Sequence, residues 1–124
     1  MNVDAEINAE IFHNGKVIRT SRSTAVAGSN DYFQSRDLAT HTSISIAFIP
    51  PIEDGTTTYT FEETGPNFAC GLGGGLVPVP VAGTVVVVST NSTDNLAYTF
   101  SGKFNDGRRD LEIKGTAKLN YIYA

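Results

Sequence analysis

The sequence predicts an all-β fold, an antiparallel β-sandwich of about seven to eight strands in a single domain of residues 1–124. Several segments alternate apolar and polar residues one by one, which is the side-chain period of a β-strand. Turn residues such as Asn-Gly and Asp-Gly separate these segments. Charged residues make up 18% of the chain, against about 25% in an average domain, and Gly, Thr, Ser and Asn fill the difference. A small β-barrel is the alternative that this pattern leaves open.

Residues 3–11 alternate regularly and predict a strand with one buried face. Asn14-Gly15 then predicts a tight turn, because these residue types tolerate the positive φ that such a turn needs. The returning segment, residues 16–27, is almost wholly polar over residues 19–24. We therefore expect it at an edge of a sheet or bending out of it, since charge at an edge discourages pairing with other strands.

The middle of the chain gives mixed signals. Residues 32–39 fit either a short helical turn capped by Asp31 or a short strand, and periodicity does not decide between them. Residues 42–48 and 57–61 each predict a strand with one apolar face. Residues 82–90 are apolar on both faces, which predicts a strand covered on both sides.

Residues 64–79 combine a run of glycines with several prolines, which excludes a regular helix and argues against a central strand. A loop of this length is either functional or mobile, and binding residues concentrate on loops. If the loop is functional, we expect ligand or partner contact at its glycines, Gly71, Gly73, Gly74 and Gly75; a disordered connector is the alternative. A phosphate-binding loop is not indicated, because the glycines are followed by Leu76 and Val77 rather than by Lys-Ser/Thr and a helix.

The C-terminal quarter carries the strongest pattern. Residues 96–104 and 111–123 alternate on either side of Asp106-Gly107, which predicts a long hairpin around which the other strands pack. Its apolar phase contains five aromatic residues, Tyr98, Phe100, Phe104, Tyr121 and Tyr123. A sandwich core accounts for them, and the sharper alternative is a cavity or exposed platform for a hydrophobic or sugar ligand. Tyr121 and Tyr123 are the candidates for ligand contact, with Tyr123 the more exposed.

The residues that could carry catalysis are Cys70, His13 and His41, and their spacing places them on different elements. A cysteine nucleophile needs a base within hydrogen-bond reach, so we predict no catalytic residue and regard an enzyme using Cys70 or a histidine as the least favoured reading. No histidine spacing brings two metal ligands together, so we predict no metal and no cofactor. Oxygen-rich loops at residues 53–55 and 91–95 could hold calcium, but turn chemistry explains them better.

The net charge of −4 argues against nucleic acid as a partner, because binding to phosphates requires a cationic surface. The most apolar stretch, residues 76–88, is too short and too interrupted by proline to span a membrane. The single cysteine allows no internal disulfide. No signal peptide follows Met1, so the chain is either cytosolic or lacks a removed leader, and its composition favours an exported protein.

Part of the sequence resembles a class of small all-β domains found in uncharacterised exported bacterial lipoproteins. The resemblance lies in residues 57–61, 83–91 and 98–104, with residues 96–100 and 111–115 standing where those domains have their last two strands. It covers about half of the chain. The resemblance implies a β-sandwich and a location at the cell envelope, and it implies no catalytic residue.

We therefore expect a non-enzymatic binding or structural module of a bacterial cell envelope or exported protein. The alternative is a carrier that holds a small hydrophobic ligand in a cavity between the sheets. The partner is expected to be another protein or a small molecule. An uncovered apolar face on the C-terminal hairpin would favour a homodimer.

Overall fold

The computed structural model describes residues 2–62, 67–73 and 78–122 and confirms an all-β antiparallel sandwich. The described residues form eleven strands, more than the sequence predicted because three of them are short or fall in the glycine-rich segment. In chain order they are β1 Asn2–His13, β2 Lys16–Ser23, β3 Val26–Gly28, β4 Tyr32–Asp37, β5 Thr42–Ala47, β6 Gly55–Phe61, β7 Phe68–Leu72, β8 Val79–Pro80, β9 Ala82–Thr90, β10 Asn95–Asn105 and β11 Asp110–Ile122.

The strands make two sheets, and neither closes into a barrel. One sheet has six strands in the order β2-β1-β11-β10-β9-β6, and the other has five in the order β3-β4-β5-β7-β8. The C-terminal hairpin, β10 and β11, lies in the middle of the larger sheet, which confirms that the other strands pack around it. Strand β1 runs along β11 without interruption from the Asn2–Ile122 pair to the Phe12–Glu112 pair.

The two predicted hairpin turns form, with different geometry. Asn14 and Gly15 both have positive φ, 52° and 78°, as a primed two-residue turn requires. At the C-terminal hairpin only Gly107 has positive φ, 98°, and the paired residues Asn105 and Asp110 close a longer loop. In that loop the Asp106 carboxylate accepts hydrogen bonds from the amides of the two following arginines at 3.0 and 2.8 Å. The Asp106 side chain therefore replaces the second positive-φ residue as the support of the turn.

Aromatic rings from both sheets meet in the core. Phe33 on β4 lies 4.7 Å from Tyr98 on β10, measured between ring centroids. Farther along, Phe68 on β7 packs edge-on to Phe100 on β10, with centroids 6.3 Å apart. The predicted apolar phase of the hairpin supplies the six-stranded side of this core, including the buried residues Leu96, Tyr98, Phe100, Phe104, Leu111, Ile113, Ala117 and Leu119.

Two ambiguous or irregular segments prove to be strands. Residues Tyr32–Asp37 form β4 rather than a helical turn, and every second residue from Phe33 is buried. The prediction that the glycine- and proline-rich segment is a loop without a central strand is wrong over Phe68–Leu72, because β7 pairs with β5 on one side and β8 on the other. The strand tolerates Gly71 because Phe68 and Cys70 still bury their side chains in the core.

The prediction that β9 is covered on both sides is also wrong. Val85 and Val87 are fully buried, but Val88 on the opposite face is 44% exposed. Strand β9 lies inside its sheet, between β10 and β6, so both of its edges are paired while its outer face is open. Valine favours a pleated strand whether or not its face is covered. The run of valines therefore predicted that β9 is a strand, but it did not predict that both of its faces are buried.

Strand β2 lies at an edge of the six-stranded sheet, as its polar sequence predicted. Its inward-facing residues explain that polarity. The Ser21 hydroxyl donates a 2.8 Å hydrogen bond to the Asp37 carboxylate, and the Ser23 hydroxyl donates to the carbonyl of Arg36 at 2.7 Å. Because Asp37 and Arg36 belong to β4, these bonds join the two sheets along this edge with polar groups instead of apolar ones.

Gly115 marks a close approach inside the larger sheet. It lies on the inward phase of β11, opposite Phe100 on one side and Ala9 on the other. A Cβ atom at Gly115 would lie 2.5 Å from Phe100 Cζ and 2.6 Å from the backbone oxygen of Asn8. The Phe100 ring therefore occupies the space that a side chain at Gly115 would need.

Gly115→Ala should lower the free energy of unfolding by about 1–3 kcal/mol, because the strand or the Phe100 ring must move to admit the methyl group. Thr116→Ser, on the exposed face one residue along, should change it by less than about 0.5 kcal/mol. Urea unfolding followed by circular dichroism measures both. Equal stabilities of Gly115→Ala and the unsubstituted protein would contradict this account of the core.

Candidate functional site

A groove of about 490 Å³ crosses the outer face of the five-stranded sheet over β3, β4 and β5. Small side chains line much of it, together with the longer ones of Gln34 and Arg36. The described residues that line it include Ala25, Ala27, Gln34, Arg36, Ser43, Ser45 and Pro78. Alternation places the outward-facing ones there, since the intervening residues Phe33 and Ile46 point inward and are buried.

Gly71 leaves space beside the groove because it has no side chain. It pairs with Ser43 on the neighbouring strand β5, and a Cβ atom at Gly71 would lie 2.6 Å from Ser43 Oγ and 3.5 Å from Pro78 Cγ. A larger residue would displace the serine hydroxyl or the proline. Gly71, predicted as a contact residue in a loop, is thus a strand residue at the border of the groove.

The other predicted glycines are placed only in part. Gly73 follows the end of β7 and is partly buried, whereas Gly74 and Gly75 lie outside the described residues. Pro78, the first described residue after them, lines the groove. The groove therefore adjoins Gly71 and Pro78, and ligand contact at the four glycines stays a prediction.

The groove carries a local positive charge in a protein of net charge −4. Arg36 is the charged residue among its described lining residues, which include no carboxylate. Within the described ranges its guanidinium takes part in neither of the ion pairs, Arg109–Asp106 and Lys118–Asp4. A guanidinium presents a planar fork of donors that matches a carboxylate, and Gln34 and the serine hydroxyls of the groove add further hydrogen-bonding groups.

Sequence reasoning missed Gln34 and Arg36 as candidates. They lie on the outward face of β4. A strand assignment for residues 32–37 would have predicted this exposed position from alternation. What the sequence could not supply was the pairing of β4 with β5, which sets Gln34 opposite Ser45 and Arg36 opposite Ser43.

Tyr121 has a structural contact. Its hydroxyl donates a hydrogen bond to the backbone oxygen of Gly28, which joins β11 to β3 in the other sheet. The side chain is partly buried, and burial raises the pKa of its hydroxyl. Tyr123, the other aromatic candidate, lies outside the described residues, and ligand contact at either tyrosine stays a prediction.

Tyr98 carries a buried hydroxyl that finds no hydrogen-bond partner among the described residues. The side chain is 2% exposed, and burial raises the pKa of the hydroxyl. The rings of Phe33 and Phe48 pack against it from the five-stranded side. With Phe100 and Phe104 also buried, these hairpin aromatics form core and not an exposed platform.

Cys70 is 1% exposed on the inward face of β7, and burial raises the pKa of its thiol to about 12. Such a thiol is protonated at neutral pH and is a weak nucleophile. His13 lies at the end of β1, with Nδ1 3.2 Å from the carbonyl oxygen of Asp110, and His41 occupies an exposed turn with φ 53°. Within residues 2–62, 67–73 and 78–122, no three His, Cys, Asp or Glu side chains are grouped so that they could hold a metal ion.

The two oxygen-rich loops that the sequence singled out come together around Asp54. Its carboxylate accepts hydrogen bonds from the amides of Ser92 and Thr93, at 2.8 and 2.9 Å, and from the Ser89 hydroxyl at 2.9 Å. These bonds hold the pKa of Asp54 below its ordinary value, with the Thr93 amide making the largest contribution. Asn91, Ser92 and Thr93 all have positive φ, an unfavourable conformation for residues other than glycine, and the Asp54 carboxylate stabilises it.

The fold and its surfaces define an antiparallel β-sandwich with an aromatic core and a polar groove on one outer face. No family model, curated protein or solved structure matches the chain significantly. The resemblance to domains of exported lipoproteins therefore stays a prediction. In the part of the chain that the structure describes, no helix is long and apolar enough to cross a membrane.

Asp54→Asn should lower the free energy of unfolding at neutral pH. The asparagine side chain is uncharged, so it accepts weaker hydrogen bonds from the backbone N–H groups of Ser92 and Thr93 than the carboxylate does. A lowered pKa in the folded state means that this contribution is complete above the unfolded pKa of about 3.9 and is lost as the pH falls through the folded value. The difference in free energy of unfolding between Asp54→Asn and the unsubstituted protein should therefore become smaller at acidic pH. Urea unfolding over a pH series measures it.

Glu53→Gln is the matched control, since it removes the charge of the adjacent exposed carboxylate. It should leave stability nearly unchanged across the same pH series. A gap between Asp54→Asn and the unsubstituted protein that stays constant down to the lowest pH would show that the carboxylate charge does not stabilise the turn.

Proposed function

We propose that this chain is a non-enzymatic binding module and that its contact surface is the groove on the five-stranded sheet. The observation that carries the proposal is the guanidinium of Arg36 beside the small side chains of the groove, with no carboxylate among the lining residues that the structure describes. This chemistry suits a segment that presents a carboxylate, such as a peptide terminus or an acidic sugar. The net negative charge of the chain makes a polyanionic nucleic acid a poor partner.

The chemistry of Cys70, His13 and His41 supports a binding role over catalysis. The buried, protonated thiol lacks the properties of a nucleophile. His13 ends β1, whereas His41 lies in the turn between β4 and β5, so the two histidines belong to different hairpins. A carrier with a ligand cavity between the sheets has less support, because Phe33, Phe48 and Tyr98 fill that space with ring contacts.

The location we propose is the bacterial cell envelope or the exterior. Its support is the composition, poor in charge and rich in Gly and Thr, together with the resemblance to domains of exported lipoproteins. Fractionation of the native cells and the sequence of the mature N-terminus would test it. Recovery of the protein with the cytosolic fraction alone would contradict it.

The groove can be tested with a short, neutral, N-acetylated peptide that ends in a free carboxylate, compared with the same peptide as its amide. Titration followed by amide NMR shifts should show weak binding of the carboxylate form, on the order of 1 mM, centred on Gln34, Arg36, Ser43 and Ser45. Arg36→Gln should weaken it by about 1–2 kcal/mol, because the charged hydrogen bonds are lost.

Arg22→Gln is the matched control, since Arg22 is exposed on β2 of the other sheet and the substitution changes the net charge equally. It should leave the shifts at the groove unchanged. Equal binding of the carboxylate and amide peptides, or shifts that lie away from β3, β4 and β5, would refute the groove as the contact surface.

Cys70 gives a separate test of the non-enzymatic proposal. Native protein should react with iodoacetamide far more slowly than free cysteine, and the same thiol should react at the ordinary rate once denaturant exposes it. Cys70→Ala should leave peptide binding unaltered. Labelling of the native thiol faster than free cysteine would indicate an activated nucleophile and would overturn the proposal.

A further inference from the structure

Strand β6, Gly55–Phe61, forms the second edge of the six-stranded sheet. It pairs with β9 in an unbroken register, from the Gly55–Ser89 pair to the Phe61–Gly83 pair. No strand among the described residues pairs with its other edge. Half of the backbone amides and carbonyls of β6 therefore face outward from the sheet, and a regular edge of this kind is a template for another strand.

The other three edges of the sandwich carry features that oppose strand addition. Strand β2 has Lys16 and Arg22, and a bulge interrupts its pairing with β1. Strand β3 is only three residues long, and β8 is two residues long and contains Pro80. Charge, irregularity, shortness and proline are the means by which sheets block their edges.

Strand β6 has none of these features. Its seven residues, Gly55-Thr56-Thr57-Thr58-Tyr59-Thr60-Phe61, include no charged residue and no proline. Thr56, Thr58 and Thr60 point outward and are exposed, whereas Tyr59 is buried and Phe61 is partly buried against Phe68. The edge is thus neutral and regular. It could pair with β6 of a second copy without placing like charges opposite each other within the strands.

We propose that β6 is the interface through which a second copy of this chain adds to the sheet, with the two β6 strands antiparallel. A two-fold axis perpendicular to the sheet keeps the outer faces on one side, so each residue pairs with one of the same phase. Centring the axis on Thr58 pairs all seven residues, with Thr56 opposite Thr60 and Thr57 opposite Tyr59. Threonine pairs of this kind stabilise adjacent strands.

The charges that flank β6 oppose this arrangement. Asp54 and Glu62 come opposite each other just outside the paired strands. The Asp54 carboxylate is engaged by the Ser92 and Thr93 amides of its own chain, so its charge is partly compensated. The remaining repulsion predicts that added salt strengthens the dimer.

Analytical ultracentrifugation of the full chain tests the proposal. The unsubstituted protein should show a concentration-dependent species of twice the 13.2 kDa chain mass. Thr58→Lys places two ammonium groups opposite each other at the axis and should weaken dimerisation on the order of tenfold or more. Thr99→Lys, the same change on the exposed face of the internal strand β10, should alter it by less than about twofold.

Cross-linking keeps the test valid if Thr58→Lys fails to fold. Thr58→Cys should be joined to a second copy by a short bismaleimide, whereas Thr99→Cys should not, and Cys70 is buried and does not interfere. A monomer of 13.2 kDa at every concentration would overturn the proposal. A strand of a different protein would then be the candidate to pair with β6. A dimer that Thr58→Lys does not weaken, or equal cross-linking of the two cysteine variants, would also overturn it.

Discussion

The contact of aromatic rings between the two sheets is the constraint on which the rest of the structure depends. Tyr98 and Phe100 on β10 meet rings from the five-stranded sheet, Phe33 and Phe68 among them. This contact fixes the inward phase of the C-terminal hairpin, which lies in the middle of its sheet. Because Phe100 lies over the backbone of β11, Gly115 has to lack a side chain. A change of phase by one residue would turn these rings to solvent.

Glycine in this chain serves close packing more than mobility. The chain passes from β8 in one sheet to β9 in the other at Val81, whose side chain is fully buried. There Gly83 and Gly102 lie opposite each other, and a Cβ atom at Gly102 would lie 2.5 Å from Val81 Cγ1. Gly71 plays the same role on the outer face, where it leaves room for Ser43. Close backbone packing at Gly71 therefore helps to shape the border of the groove.

The sequence allowed prediction of those elements whose signal is local. The alternation of β1, β10 and β11 and the Asn14-Gly15 turn each depend on a few neighbouring residues, and all were confirmed. Strand β7 was missed because its place depends on pairing with β5, distant in sequence, which outweighs the low strand propensity of glycine. The groove was missed for the same reason, since Arg36 and Ser43 become neighbours only through the pairing of β4 with β5.

The two surfaces proposed here lie on different sheets, and this arrangement makes them compatible. Strand addition at β6 would extend the six-stranded sheet in its own plane, whereas the groove lies on the outer face of β3, β4 and β5 in the opposite sheet. A dimer formed through β6 would therefore leave both grooves open and hold them at a fixed spacing. Two weak sites at fixed spacing bind a repeating partner more tightly than either site alone, provided that the partner can reach both. Such avidity would offset the low affinity expected of an open groove in which Arg36 is the one charged residue among the described lining residues.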